Sequence, residues 1–213
     1  MRLRFTVLSK SAKNHHKCVA GVLDDGSILR IVSDDEVIDG AIHNWYIKNS
    51  RYNIDVQILD EIEVEALRRM PNKIQPENWL VNEDVYPRVV GKKSLQEIID
   101  NVAQDDDAYI FGNSERFLNS NEIMSVGYSL KFVVVHDMYI KQVDSFGKMK
   151  AKADFIYGGV KYSRISLTDQ EYFEVDGQYF AKAGLFMSLA HIPYTTEEGE
   201  DRYYKFVAKI FPL

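Results

Sequence analysis

The sequence predicts a mainly β protein in two strand-rich parts, the first with a short helical insert and the second reading as a small antiparallel barrel or sandwich. Three observations carry that expectation. Asp24-Asp25-Gly26 separates two apolar runs, "KCVAGVL" and "SILRIVS", which is the pattern of a tight hairpin. From about Ile123 onward, strand-length segments rich in Val, Ile, Tyr and Phe follow one another and are parted by turn residues. The best helical period in the chain is in one segment, "SLQEIIDNVAQ".

Along the chain, Leu3–Ser9 alternates in part and is β-branched and aromatic, so it opens the first barrel as a strand. The two hairpin strands follow, and then the irregular, acidic "DDEVIDGAIHNW". In Ile54–Leu67 the alternation of Ile54, Val56 and Ile58 slips at Leu59 and resumes at Ile62 and Val64, which predicts one long bulged strand. Pro71 and Pro76 break the chain after it. Ser94 is the expected N-cap of the helix, with Glu97 three residues on and Leu95, Ile98, Ile99 and Val102 as the apolar stripe. A second short helix is expected near Ser114. The remainder reads as "SLKFVVVHDMYIKQV", "KMKAKADFIY", "VKYSRISL", "EYFEVDGQYFAKAG", "LFMSLAHIPY" and "RYYKFVAKIF". Its turns fall at Ser145–Gly147, Gly158-Gly159, Asp176-Gly177 and Glu197–Asp201. The expected division is residues 1–122 for the first barrel with its helical insert and 123–213 for the second.

Composition narrows the function classes. With 213 residues, 46% of them hydrophobic, two small cores form without disulfides or structural metal. The single cysteine, Cys18, excludes an intramolecular disulfide framework and a multi-cysteine zinc site, and fits a reducing compartment. The start is basic but lacks the apolar stretch of a signal peptide, and no run approaches the roughly 18 apolar residues of a membrane span. A cytoplasmic protein without a membrane partner is therefore expected. A net charge of -6 gives no bulk basic character, so the placement of charge decides what the surface attracts. Neither GxxxxGK[ST] nor GxGxxG occurs, and the sequence implies no cofactor and no metal.

The basic segments are the most informative candidates. Lys148, Lys150 and Lys152 alternate with Met149, Ala151, Ala153, Phe155 and Tyr157, so period 2 puts the lysines on one face and the apolar row on the other. The next strand adds Lys161 and Arg164, and Tyr157 and Tyr162 flank the Gly158-Gly159 turn. Cations for phosphates and rings for bases are what single-strand recognition on a barrel uses. The same lysines also serve simply to keep a strand soluble and its edge unpaired. A smaller group, Lys13, His15, His16 and Lys17, precedes the first hairpin, with Arg30 on the returning strand. Adjacent histidines on an extended segment point to opposite sides, which disfavours a shared metal. His15, His16 and Cys18 supply the residue types of a nucleophile pair without a recognisable elbow around them, and Cys18 reads as a packing residue. The acidic runs Asp34-Asp35-Glu36, Asp60-Glu61 and Asp105-Asp106-Asp107 read as solvated faces rather than a converging metal site.

The opening "KCVAGV" and "ILRIVSD", the later "PENW", the "YSLKFVVV" strand, "GKMKAKADFIYGGVKYSRISLTDQEY" and the final "YYKFVAKIF" resemble the dual OB-containing domain family of prokaryotes over nearly the whole chain. The resemblance implies two linked OB-like barrels, and an association with nucleic-acid or conflict-related (defence) systems. Leu29 stands where the resemblance leads one to expect an aromatic residue before Arg30. The leading reading is a non-enzymatic module binding single-stranded nucleic acid or nucleotide within a larger system. Lys148, Lys150, Lys152 and the Lys13–Lys17 loop would then meet phosphates, and Tyr157 or Tyr162 would stack a base. The alternatives are an adaptor subunit with a protein partner in the same system, and a metal-independent hydrolase or nuclease.

Overall fold

The computed structural model describes residues 1–13, 15–102, 107–145 and 147–213. Four expectations fall partly outside them: Asn14 in the first basic loop, Ala103 and Gln104 of the helical segment, Asp105 and Asp106 of the acidic run, and Phe146 in the Ser145–Gly147 turn. The chain forms two compact units, Met1–Asn72 with Pro76–Gln104, and Lys73–Gln75 with Asp105–Leu213. Residues 107–122, expected with the first barrel, therefore pack with the second, where Ile110, Phe111 and Leu118 are buried in the core.

The first unit contains β1 (Arg2–Lys13), β2 (His16–Val22), β3 (Ile28–Val32), α1 (Asn44–Ile47), β4 (Lys48–Asn49), β5 (Ile54–Asp55), β6 (Asp60–Arg69), β7 (Asn78–Val81), β8 (Arg88–Lys92) and α2 (Leu95–Val102). Its ring runs β1-β2-β3-β7-β6 and closes because β1 also pairs with β6, while β8 extends the β6 edge. The long β1 makes closure possible. Its Arg2–Thr6 half pairs with β6 and its Thr6–Lys13 half with β2, with a register shift between Val7 and Ser9 where the strand bends. Phe5, Val7, Val19, Leu29, Ile31, Ile62 and Val64 fill the interior.

Local chemistry explains the element ends. Gly26 takes φ 83 in the hairpin turn, and the Asp25 carboxylate accepts from both the amide and hydroxyl of Ser27. Ser94 and Glu97 cap α2 reciprocally: the Glu97 carboxylate accepts from the Ser94 amide, and Ser94 Oγ accepts from the Glu97 amide. The Ile54–Leu67 segment is not one bulged strand. Leu59 turns left-handed at φ 69, the Asp60 carboxylate accepts from the Gln57 amide, and β6 starts at Asp60.

The second unit contains β9 (Phe117–Leu118), α3 (Ser120–Ile123), β10 (Leu130–Ser145), β11 (Lys148–Tyr157), β12 (Val160–Leu167), β13 (Gln178–Leu189), β14 (Tyr194–Thr195) and β15 (Asp201–Pro212). Here β12-β11-β10-β13-β15 closes through a β12–β15 pairing. The helix expected near Ser114 begins instead at Ser120, because Asn119 and Glu122 supply the capping box. The segments "EYFEVDGQYFAKAG" and "LFMSLAHIPY" share one strand, β13, which runs straight through Gly184. A Cβ at Gly184 would meet the Phe132 ring at 2.7 Å, so glycine here answers a close approach rather than a turn.

Counted within each unit, the two rings have the same order, 1-2-3-5-4 and back to 1. In both, the third and fifth strands run parallel: β3 with β7, and β12 with β15. The barrels are thus not purely antiparallel. The Greek-key order sets the third strand beside the fifth, and the remaining pairings are antiparallel. Two closed five-stranded rings of this order are the architecture the family resemblance implies.

Candidate nucleic-acid interface

In a five-stranded barrel of this order, the second and third strands and the loop between the first and second form the usual oligonucleotide face. In the second unit these are β11, β12 and the turn before Lys148. Strict alternation fixes which side chains reach that face. Ala151, Ala153, Phe155 and Tyr157 point into the core, and Lys148, Lys150, Lys152 and Asp154 point out.

Lys148 and Lys150 are exposed, and Lys152 is half-buried with Nζ donating to Ser166 Oγ at 2.7 Å. Burial lowers the Lys152 ammonium below the ordinary lysine range, and Lys150, Arg116 and Arg164 push it the same way. Lys161 and Arg164 are exposed on β12. A register shift between Ala153 and Phe155 opens the β11–β12 ladder there, and Arg164 takes φ 58 with its amide donating to the Asp154 carboxylate. Asp154, the one acid on this part of β11, also receives Lys141 Nζ at 2.5 Å and so is neutralised. Among the described residues, Lys148, Lys150, Lys152, Lys161, Arg164 and Arg116 form no ion pair. All but Arg116, which precedes β9, form a cationic strip across β11 and β12 of an acidic chain.

The aromatic half of the expected site lies elsewhere. Tyr157 is buried, and Tyr162 is wholly so, its ring stacked on Phe155 at 5.3 Å. The Tyr162 hydroxyl accepts from the Ile110 amide and donates to the Asn113 carbonyl, and burial pushes its pKa up to about 12. Neither ring can stack a base, because both share the inward parity of Phe155. Among the exposed rings of this unit, Tyr139, 42% exposed, and Tyr179, 52% exposed, lie on the next two strands of the sheet from β11. They are direct cross-strand partners on β10 and β13, and Tyr139 also faces Asp154 on β11, one step from the Lys141–Lys152 pair. Tyr179 Oη donates to Asp137, which holds the ring on the surface. The sequence carried a signal for Tyr139, since it alternates with the buried Met138 and Ile140 and shares parity with Lys141.

In the first unit the equivalent elements are β2, β3 and the loop at His15. Here the structure brings the predicted residues together but satisfies most of them internally. Lys13 Nζ lies 3.0 Å from the Asp39 carboxylate. Arg30 is buried, with Nη1 donating to Asn78 Oδ1 at 3.1 Å and 3.6 Å from Glu77, so it does not face a ligand. His15 is exposed at φ 64, and its carbonyl accepts from Asn44 Nδ2. His16 sets its ring edge against His43 at 5.0 Å, and His43 stacks on Trp45 at 5.5 Å. His43 is held between Glu83, 3.0 Å from Nδ1, and Asp35, 3.5 Å from Nε2. Lys17 is half-buried, and burial, then Lys48, lowers its pKa. Among the described residues no hydrogen bond links Cys18 to a histidine, and no group of three or more His, Cys, Asp or Glu is placed to hold a metal. Leu29 lies in the core, so that position is no surface platform.

A model of the dual OB-containing domain matches residues 3–210, nearly the whole chain, and thus both rings. The chain belongs to the dual OB-containing domain family. No curated protein and no solved structure matches it. In this dual OB chain, no helix among the described residues is long and apolar enough to cross a membrane.

Proposed function

We propose that this dual OB protein is a non-enzymatic module that binds single-stranded nucleic acid, with the second barrel as its principal contact surface. The observation that carries the reading is the unpaired cationic strip of β11 and β12 set beside two exposed tyrosines on the same outer sheet face. Lys148, Lys150, Lys152, Lys161 and Arg164 would neutralise phosphates, and Tyr139 and Tyr179 would stack bases, the combination that single-strand binders use irrespective of sequence. The first barrel contributes less, because Lys13 and Arg30 already have carboxylate partners. His15, exposed at the rim, is its remaining contact. The nucleic-acid or conflict-related system in which the module acts is the one that the family resemblance implies.

Fluorescence anisotropy with labelled single-stranded DNA and RNA, titrated from low to physiological salt, tests the reading. Binding is expected with log K falling linearly against log salt, at a slope set by about three to five phosphate contacts. No salt-sensitive binding at low ionic strength would overturn it.

A further inference from the structure

A cavity of about 340 Å³ opens beside the cationic strip. Lys150, Lys152 and Ser166 supply its polar wall, and Met149, Leu167, Phe173 and Phe206 the apolar one. Its position follows from the ring. β12 ends at Leu167 while β11 continues back to Lys148, so the first residues of β11 extend past their neighbour. Ser166 is the ladder partner of both Lys152 and Phe206, which sets lysine, hydroxyl and ring side by side across three strands. Phe173 arrives from the connection between the third and fourth strands, just after a single 3-10 turn whose N-cap is Asp169.

Two features set the cavity apart from an incidental surface dent. Met149 is 62% exposed and Phe173 41% exposed, so the apolar wall stands open to solvent instead of being filled by the chain's own side chains. The charge around it has one sign: Lys150, Arg116 and Arg164 all act on Lys152, and none of the four has an acidic partner among the described residues. An apolar slot with a flat aromatic wall and a cationic rim matches an object that is aromatic at one end and anionic at the other. One nucleotide has that form, and its size suits the volume.

We propose that this cavity takes a single nucleotide of the bound strand, its base against Phe173 and Phe206 and its phosphate on Lys150 and Lys152. The proposal rests on the reading of the second barrel as a single-strand binder and adds a specific base-holding pocket to it. Such a pocket makes affinity depend on a base at one position, whereas an open cationic strip depends only on the number of phosphates.

The test uses the full chain, a 12-nucleotide labelled single strand, and a matched strand of the same length in which every base is replaced by an abasic unit. Phe173→Ala is expected to weaken binding of the normal strand by about tenfold, the usual cost of losing one base–aromatic contact. Binding of the abasic strand and the salt slope are expected to stay unchanged. Met149→Ala, at a largely exposed side chain, is expected to act the same way with a smaller factor, and guards against a folding defect in the first variant. Normal binding by both variants would overturn the pocket and leave the strip standing. An equal loss on both strands would also overturn it, since the effect would then not depend on a base. Absence of strand binding by the unmodified protein would remove the underlying reading together with the pocket.

Discussion

The two barrels share one strand order and spend their cations differently. In the first, Arg2 and Arg88 meet Glu63, Arg4 meets Glu61, Lys13 meets Asp39, and Arg30 reaches Glu77. In the second, Lys131, Lys141 and Lys209 are paired in the same manner, with Asp107, Asp154 and Asp169. Among the described residues, Lys148, Lys150 and Lys152 of β11 and Lys161 and Arg164 of β12 form no ion pair. The net charge of -6 therefore conceals a cluster of cations without carboxylate partners on the β11–β12 face. A cation held by a carboxylate must exchange that partner for a phosphate at little net gain. An unpaired one releases phosphate counterions without such a cost.

The sharpest way to break this contrast is charge reversal. Lys148→Glu, Lys150→Glu and Lys152→Glu together are expected to weaken single-strand binding about 100-fold or more and to lower the salt slope by about two. Reversal of Lys13 and Lys17 in the first barrel is expected to change affinity less than about threefold. Equal losses, measured by anisotropy at one salt concentration, would erase the proposed difference between the barrels.

Among the described residues the first barrel buries one cation, Arg30, and the second buries Lys131, Lys205 and Lys209, of which Lys205 is wholly enclosed. Lys205, 0% exposed, donates to the carbonyls of Ile110 and Asn113 and to Asn113 Oδ1, each at 2.7 Å, and so pins the 110–113 loop onto β15. Lys205→Met removes all three of these hydrogen bonds and takes from the buried Ile110 carbonyl its lysine donor, while Tyr162 Oη and the Glu115 amide still reach Asn113, and a loss of about 2 kcal/mol is expected in urea unfolding. Burial lowers the Lys205 ammonium to about 7 from an ordinary 10.5, against the opposing pull of Glu122 and Glu115. Between those values the unfolded chain binds more protons than the folded one. Stability is thus expected to rise as pH increases from about 7 toward 10.5, and the methionine variant to lose that slope.

Tyr139→Ala and Tyr179→Ala are each expected to cost about tenfold in binding of a normal strand, at unchanged salt slope. The same loss on replacing Trp45, an exposed ring of the first barrel, would show that both barrels stack bases. The smallest expected effect is one of pH. Because burial and its cationic neighbours lower Lys152, binding is expected to weaken by a few-fold as pH rises, starting below the pH at which an ordinary lysine loses its charge. Lys152→Arg is expected to remove that dependence, which a pH series at constant ionic strength would read directly.

Much of this was legible in the residues. The hairpin at Gly26, the capped helix at Ser94 and the outward row of Lys148, Lys150 and Lys152 follow from local rules of turn chemistry, capping and period 2. Parity also contained the answer about Tyr157, which stands in the same alternating row as Ala151, Ala153 and Phe155 and is buried with them. The pull of the adjacent glycine turn toward the surface does not extend one residue into the strand. Tyr162 is harder to read, because the bulge opposite Asp154 changes the phase of β12, and a bulge has no reliable local signature.

By itself the sequence determined the β-rich class, the first hairpin and the alternation that turns three lysines outward, since each rests on contacts between near neighbours; the two-barrel architecture entered through the family resemblance. Only the tertiary structure decided the rest. It closed each ring through pairings such as Arg2 with Glu65 and Ser166 with Phe206, gave Lys13 and Arg30 their acidic partners, and set Tyr139 opposite Tyr179. It also brought Phe173 and Phe206 to the edge of β11 to make a cavity. Those facts join residues far apart in the chain, and the register of distant strands, set by the filling of a shared core, is what fixes them.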